Sequence, residues 1–113
     1  MLKDSLQLDR AFAALADPVR RGMLARLSRG PASVSELAAP LPISLPAVMQ
    51  HLKALEISGL VASQKRGRVR TVHLERDALA DAESWLTRRR LELEAQLDRF
   101  EEYLVTLQNN GEK

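Results

Sequence analysis

Cysteine is missing from this chain of 113 residues. Its absence excludes disulfides, thiolate zinc sites and thiol redox switches, and favours a reducing compartment, with the cytoplasm as the expected location. Histidine is scarce, with only His51 and His73. No apolar run approaches the roughly 20 residues of a membrane-spanning helix, and the opening MLKDSLQLDR lacks the apolar centre of a signal peptide. A soluble, unexported protein is expected. There is no glycine-rich phosphate loop, and no spacing suggests a nucleophile, a base and an oxyanion site converging in one cleft. Neither an enzyme nor a cofactor is therefore expected. The 45% of hydrophobic residues suffice for one modest core, so 1–113 reads as a single domain.

What is present is divided unevenly. Residues 1–76 hold 12 Lys/Arg against 6 Asp/Glu, whereas residues 77–113 hold 5 against 9. A basic front of +6 and an acidic back of −4 suggest a part that faces a polyanion joined to a part with another task, because phosphate attraction depends on local potential.

The front reads as a series of short helices. Asp4 is placed to cap a first helix whose Leu8, Ala11, Phe12 and Leu15 share one stripe. Asp17-Pro18 starts a second, since the aspartate accepts orphan amide hydrogens and proline tolerates the first helical position; Val19, Met23, Leu24 and Leu27 then face inward. Ser33 to Glu36 has capping-box spacing for a short third helix that stops at Pro40. PLPIS makes a tight turn, after which Ser44 caps a fourth helix with Pro46 in its first turn. Val48, Leu52 and Leu55 form its buried stripe, so Leu45, Met49, Gln50 and Lys53 point elsewhere.

After Gly59 the period changes to alternation, with Val61, Val69 and Thr71 as the apolar alternates and Arg66-Gly67 between two short runs, which predicts a β-hairpin. It carries Lys65, Arg66, Arg68 and Arg70 with no acid between Val61 and Arg70. From Asp77 to Gly111 no glycine or proline intervenes, which predicts one long helix, assigned to 77–108. Leu79, Ala82, Leu86, Leu93, Leu97, Phe100, Leu104 and Leu107 recur along it as a coiled-coil-like seam interrupted by Arg90, with Trp85 on its flank. So long a stripe calls for a second copy of the chain, with the first helix packed alongside, although a seam folded back on its own core is the plainer alternative. The predicted dimer contacts are Leu8, Phe12, Trp85, Leu86, Leu93, Leu97, Phe100 and Leu104. Arg88, Arg89 and Arg90 are expected to pair with Glu92 and Glu94 or with the partner chain.

LADPVRRGMLARL, then SVSELAAPLPISLPAVMQHLKALEISGLV, then GRVRTVHL resemble, in order and spacing, the ArsR family of winged helix-turn-helix transcriptional regulators. The likeness runs from about Leu8 to Leu74. The tail ESWLTRRRLELEAQLDRFEEYL is similar to the branch of that family that does not sense metals. The resemblance implies a mainly α fold with a small β-hairpin, a winged helix-turn-helix core over 8–76, and a cytoplasmic homodimer made by the first and last helices. It further implies a repressor that binds a palindromic operator in double-stranded DNA. Metal-sensing members use cysteine clusters near the third helix or His and carboxylate ligands along the last, and this chain has neither set.

Physical reasoning supports the same function, because a helix entered through a tight turn can deliver its N-terminal half to the major groove while a basic hairpin reaches phosphates or the minor groove. Ser44, Leu45, Pro46, Ala47, Met49, Gln50 and Lys53 are the expected groove-facing set. Gln50 can pair bidentately with adenine, Ser44 and Lys53 offer a hydroxyl donor and a charge, and Leu45, Ala47 and Met49 can meet thymine methyls. His51 has two readings, a phosphate contact or a hydrogen bond within the protein. Lys65, Arg66, Arg68 and Arg70 are read as phosphate contacts, against a solvated edge that guards the hairpin from aggregation. The competing function is a winged-helix module that binds protein or RNA.

Overall fold

The computed structural model describes residues 2–111, with side-chain surroundings from Leu6 onward. Helix α1 spans Leu2–Leu15, α2 Pro18–Leu27, α3 Val34–Ala38, α4 Leu45–Ile57 and α5 Arg76–Gly111; strands are β1 Ala32–Ser33, β2 Val61–Arg66 and β3 Val69–Leu74. Helix α1 begins before Asp4, which therefore sits inside the helix rather than capping it; the Asp4 side chain lies outside the described residues.

The other caps form as their residues dictate. Asp17 accepts from the amides of Val19 and Arg20 with Pro18 at the first helical position. Ser33 and Glu36 exchange reciprocal hydrogen bonds of 3.1 Å, closing a capping box. Ser44 Oγ accepts from the Ala47 amide at 3.3 Å. Each satisfies backbone donors that the first helical turn leaves unpaired.

The predicted hairpin is present, but it belongs to a three-stranded antiparallel sheet of order β1-β3-β2. Strand β1 adds Ala32 opposite Val72 and Ser33 opposite Thr71. Two residues of strand between a helix and a capping box leave too little pattern to be recognised from sequence. Register also corrects one expectation: Val69 is 54% exposed, and Val72 takes the buried place. Val61 pairs with Leu74 and Ser63 with Val72, so the inward face of β3 carries Val72 and Leu74. Between β2 and β3, Gly67 has φ +63°, as the first position of a tight primed hairpin turn requires.

The chain divides into two compact units, Met1–Ala82 and Glu83–Lys113, with the division inside α5. In the first, Met23, Leu24, Leu27, Leu37, Val48, Leu52, Leu55, Leu60, Val61 and Val72 form one core, with Leu79 partly buried against it. Gln7 Nε2 on α1 donates to the Ser58 carbonyl at 2.8 Å, tying α1 to the end of α4. Its amide occupies the space that a side chain at Gly59 would enter, 2.6 Å from an added Cβ, and Gly59 itself has φ +77°. In the second unit Arg89 and Arg90 pair with Glu92 and Glu94, as their spacing predicts, and Arg89 also lies 4.8 Å over the Trp85 ring.

Candidate nucleic-acid interface

The six residues between Ala38 and Leu45 bring α3 to a stop and restart the chain as α4. Pro40 and Pro42 cannot extend α3, whereas Ser44, with φ −70° and ψ 156°, is in the extended conformation that a cap needs. Helix α4 then buries Val48, Leu52 and Leu55 and leaves the opposite face open. On that face Leu45 is 57% and Met49 40% exposed, and Ser44, Pro46, Gln50 and Lys53 are exposed as well. Ala47 is half-buried. The predicted groove-facing set thus shares the outer side and first turns of α4, where unpaired amides and the helix dipole favour an approaching anion.

His51 is set apart from this group. It is half-buried, and its Nδ1 lies 3.9 Å from Asp17 Oδ1. The amide of Arg20, then that of Val19 and the charges of His51 and Arg20, hold the Asp17 carboxyl below its ordinary pKa. At 3.9 Å the approach is longer than a hydrogen bond, so the imidazole faces Asp17 without making the internal bond expected of it.

The hairpin cations do not share one environment. Lys65, Arg66 and Arg68 are exposed at its far end, and none has an ion pair among the described residues. Arg70 is tied down: its Nη1 donates to Ser63 Oγ at 2.9 Å, and that hydroxyl donates to Glu56 Oε1 at 2.7 Å. Between α4 and β3 lies a groove of about 370 Å³ with Met49, Leu52 and Val72 as its apolar lining and Gln50, Lys53, Glu56 and Arg70 as its polar one. Sequence reasoning missed Glu56 and Ser63. Spacing could have placed Glu56 beside Lys53 and Met49, but only strand register brings Ser63 to it.

The predicted seam lies in the open in the second unit. Trp85 is 38% exposed, and Leu86, Leu93, Leu97, Phe100 and Leu104 are exposed too, whereas Leu8 and Phe12 on α1 are half-buried. Among the described residues, no three His, Cys, Asp or Glu side chains cluster as metal ligands would. None of the described helices is long and apolar enough to cross a membrane.

A family model described as a helix-turn-helix domain matches residues 15–64, from the end of α1 into β2. The HTH-type transcriptional regulator Rv2034 of Mycobacterium tuberculosis (strain ATCC 25618 / H37Rv) is 49% identical over 72 residues, which cover 64% of this chain and 67% of that protein. The crystal structure of an ArsR family transcriptional regulator, RHA00566, matches with a TM-score of 0.77 and 48% identity, over 80% of this chain and 93% of that one. This chain belongs to the ArsR family. Like its ArsR-family relatives it is a transcriptional regulator with a DNA-binding winged helix-turn-helix, and not an enzyme. A more distant relative, the transcriptional repressor SdpR of Bacillus subtilis (strain 168), is 27% identical over 79 residues, 70% of this chain and 88% of its own. The stretch matched by the family model, 15–64, contains all of α4 together with Glu56 and Ser63.

Proposed function

We propose that this ArsR-family protein is a cytoplasmic homodimeric repressor that reads a palindromic operator and does not sense metals. One observation carries the reading: α4 closes one face into the core and opens the other, with Leu45, Met49, Gln50 and Lys53 on it, beside a hairpin of one-signed charge. Gln50 reads a base edge, Ser44 and Lys53 hold the backbone or a base, and Leu45, Pro46, Ala47 and Met49 supply apolar contact. Lys65, Arg66, Arg68 and Arg70 engage phosphates. His51 keeps two roles open to it, a phosphate contact or support of α4 from within through Asp17.

The dimer reading rests on the open seam of Leu86, Leu93, Leu97, Phe100 and Leu104, flanked by Trp85, together with α1 through Leu8 and Phe12. Apolar side chains at heptad-like spacing gain little unless a matching surface covers them. A two-fold dimer presents two α4 helices and so calls for a two-fold operator. Repression is consistent with the similarity to SdpR. Composition supports the exclusion of metal sensing, with no cysteine and two histidines on different elements.

Selection of bound sites from random duplexes tests the reading. It should return a palindrome whose half-sites are about one helical turn apart, roughly 34–36 Å. Gln50→Ala should then erase preference at one base pair, worth about 1–3 kcal/mol, more than it lowers total affinity. Arg66→Ala with Arg68→Ala should weaken all duplexes alike and flatten the dependence on salt. Duplexes bound with no preferred site at any salt would favour a protein- or RNA-binding module instead.

A further inference from the structure

Glu56 is out of place on a surface that meets phosphates. It follows Met49 and Lys53 along the outward face of α4 and is exposed, so its carboxylate opposes an approaching polyanion. Yet it is engaged by Ser63 Oγ at 2.7 Å, which in turn receives Arg70 Nη1 at 2.9 Å.

Strand register explains the link. Ser63 pairs with Val72 and Lys65 with Arg70, so these four share the sheet face whose Val72 enters the core. Arg70 is the diagonal neighbour of Ser63 and stands directly opposite another cation, Lys65. Like charges in that position repel. The hydroxyl backed by a carboxylate gives Arg70 an alternative, drawing it away from Lys65 and along the sheet toward α4. There it lines the groove together with Gln50 and Lys53. A guanidinium carries five N–H donors in a fixed fork; one is used by Ser63, and the others remain for a phosphate.

Resting on the operator reading above, we infer that Glu56 and Ser63 are positioning residues that hold Arg70 for a directed phosphate contact beside Gln50 and Lys53. The cations at the hairpin end, Lys65, Arg66 and Arg68, attract DNA without such orientation. Glu56 therefore strengthens operator binding through Arg70 although its own charge opposes it.

The sign of that effect makes the inference testable. The full chain and single variants are titrated at fixed salt with the duplex that the wild type selects, and with a scrambled duplex of equal length. Ser63→Ala leaves net charge unchanged and should weaken operator binding about three- to tenfold, the scale of one typical net hydrogen bond. Glu56→Gln removes a negative charge and should nevertheless weaken operator binding by a similar factor, while binding to the scrambled duplex holds or tightens. Neither change should add a loss once Arg70→Ala is present. The ratio of operator to scrambled affinity is the deciding number, because a smaller folded fraction lowers both alike. If Glu56→Gln tightens both duplexes, or if the Ser63 and Arg70 losses simply add, the positioning role is overturned while the operator reading stands. A wild-type chain that selects no duplex overturns the operator reading and this inference with it.

Discussion

The two units use similar side chains in opposite ways. In Met1–Ala82, leucines at helical spacing are sealed, with Leu52 3% and Leu55 0% exposed; in Glu83–Lys113, Leu97 and Phe100 on the seam of α5 are 57% and 59% exposed. Periodicity does not separate the two sets. What separates them is closure: α4 is covered by α1, α2 and β2 of its own unit, whereas the described residues of the second unit form only a stretch of α5. A lone helix in water is marginal even when its ion pairs are made, since most helical stability in proteins comes from a packed apolar face. An amphipathic stripe therefore indicates that something will cover it, and the rest of the fold determines whether the cover comes from the same chain.

The change that would most directly break this contrast is Leu97→Glu combined with Phe100→Glu. Charging the seam should remove several kcal/mol of association by exposing or burying the wrong surface. Sedimentation should show the mass halved, while amide exchange in α2 and α4 stays slow. An unchanged mass would mean that the open seam is not the interface. Leu55→Ala probes the closed unit instead. It should cost about 2–5 kcal/mol by leaving a cavity at a fully buried site, read as a lower denaturant midpoint, with the folded protein keeping its mass.

Smaller effects sharpen the comparison within the closed unit. Ser44→Ala removes the acceptor for the Ala47 amide and should cost about 1 kcal/mol, with faster amide exchange confined to the first turn of α4. The least effect is expected from acid. Asp17 and Glu36 both belong to the first unit, and backbone amides, chiefly those of Arg20 and Ser33, lower their pKa values. A carboxyl whose folded pKa is lowered adds stability that is complete above its unfolded value and is lost as pH falls through the folded one. Their contribution is therefore full above the ordinary values of 3.8 and 4.5 and drains away below them. Asp17→Asn with Glu36→Gln, which keeps hydrogen-bonding groups but no charge, should flatten the decline in melting temperature below about pH 4.5. An unaltered decline would place the acid sensitivity elsewhere.

Much of the candidate interface was legible because it is written locally. Caps at Asp17, Ser33 and Ser44 depend on residues two or three positions away, and the division of α4 into a face with Val48, Leu52 and Leu55 and a face with Met49, Gln50 and Lys53 follows from helical period alone. The basic hairpin was visible for the same reason. Its apolar register was read one residue out of phase at Val69, because a short strand rich in Arg and Thr alternates too weakly to show which side Val72 takes.

Sequence by itself determined which segments are helical, where α2, α3 and α4 start, which face of α4 is open and how charge is shared between front and back, since each depends on neighbours within a turn or two. Only the tertiary structure decided that Ala32 and Ser33 join the sheet, that His51 turns toward Asp17, and that Glu56, Ser63 and Arg70 meet. Those contacts join residues from different elements, and their existence depends on how the strands align and where the chain returns, quantities that no local pattern encodes.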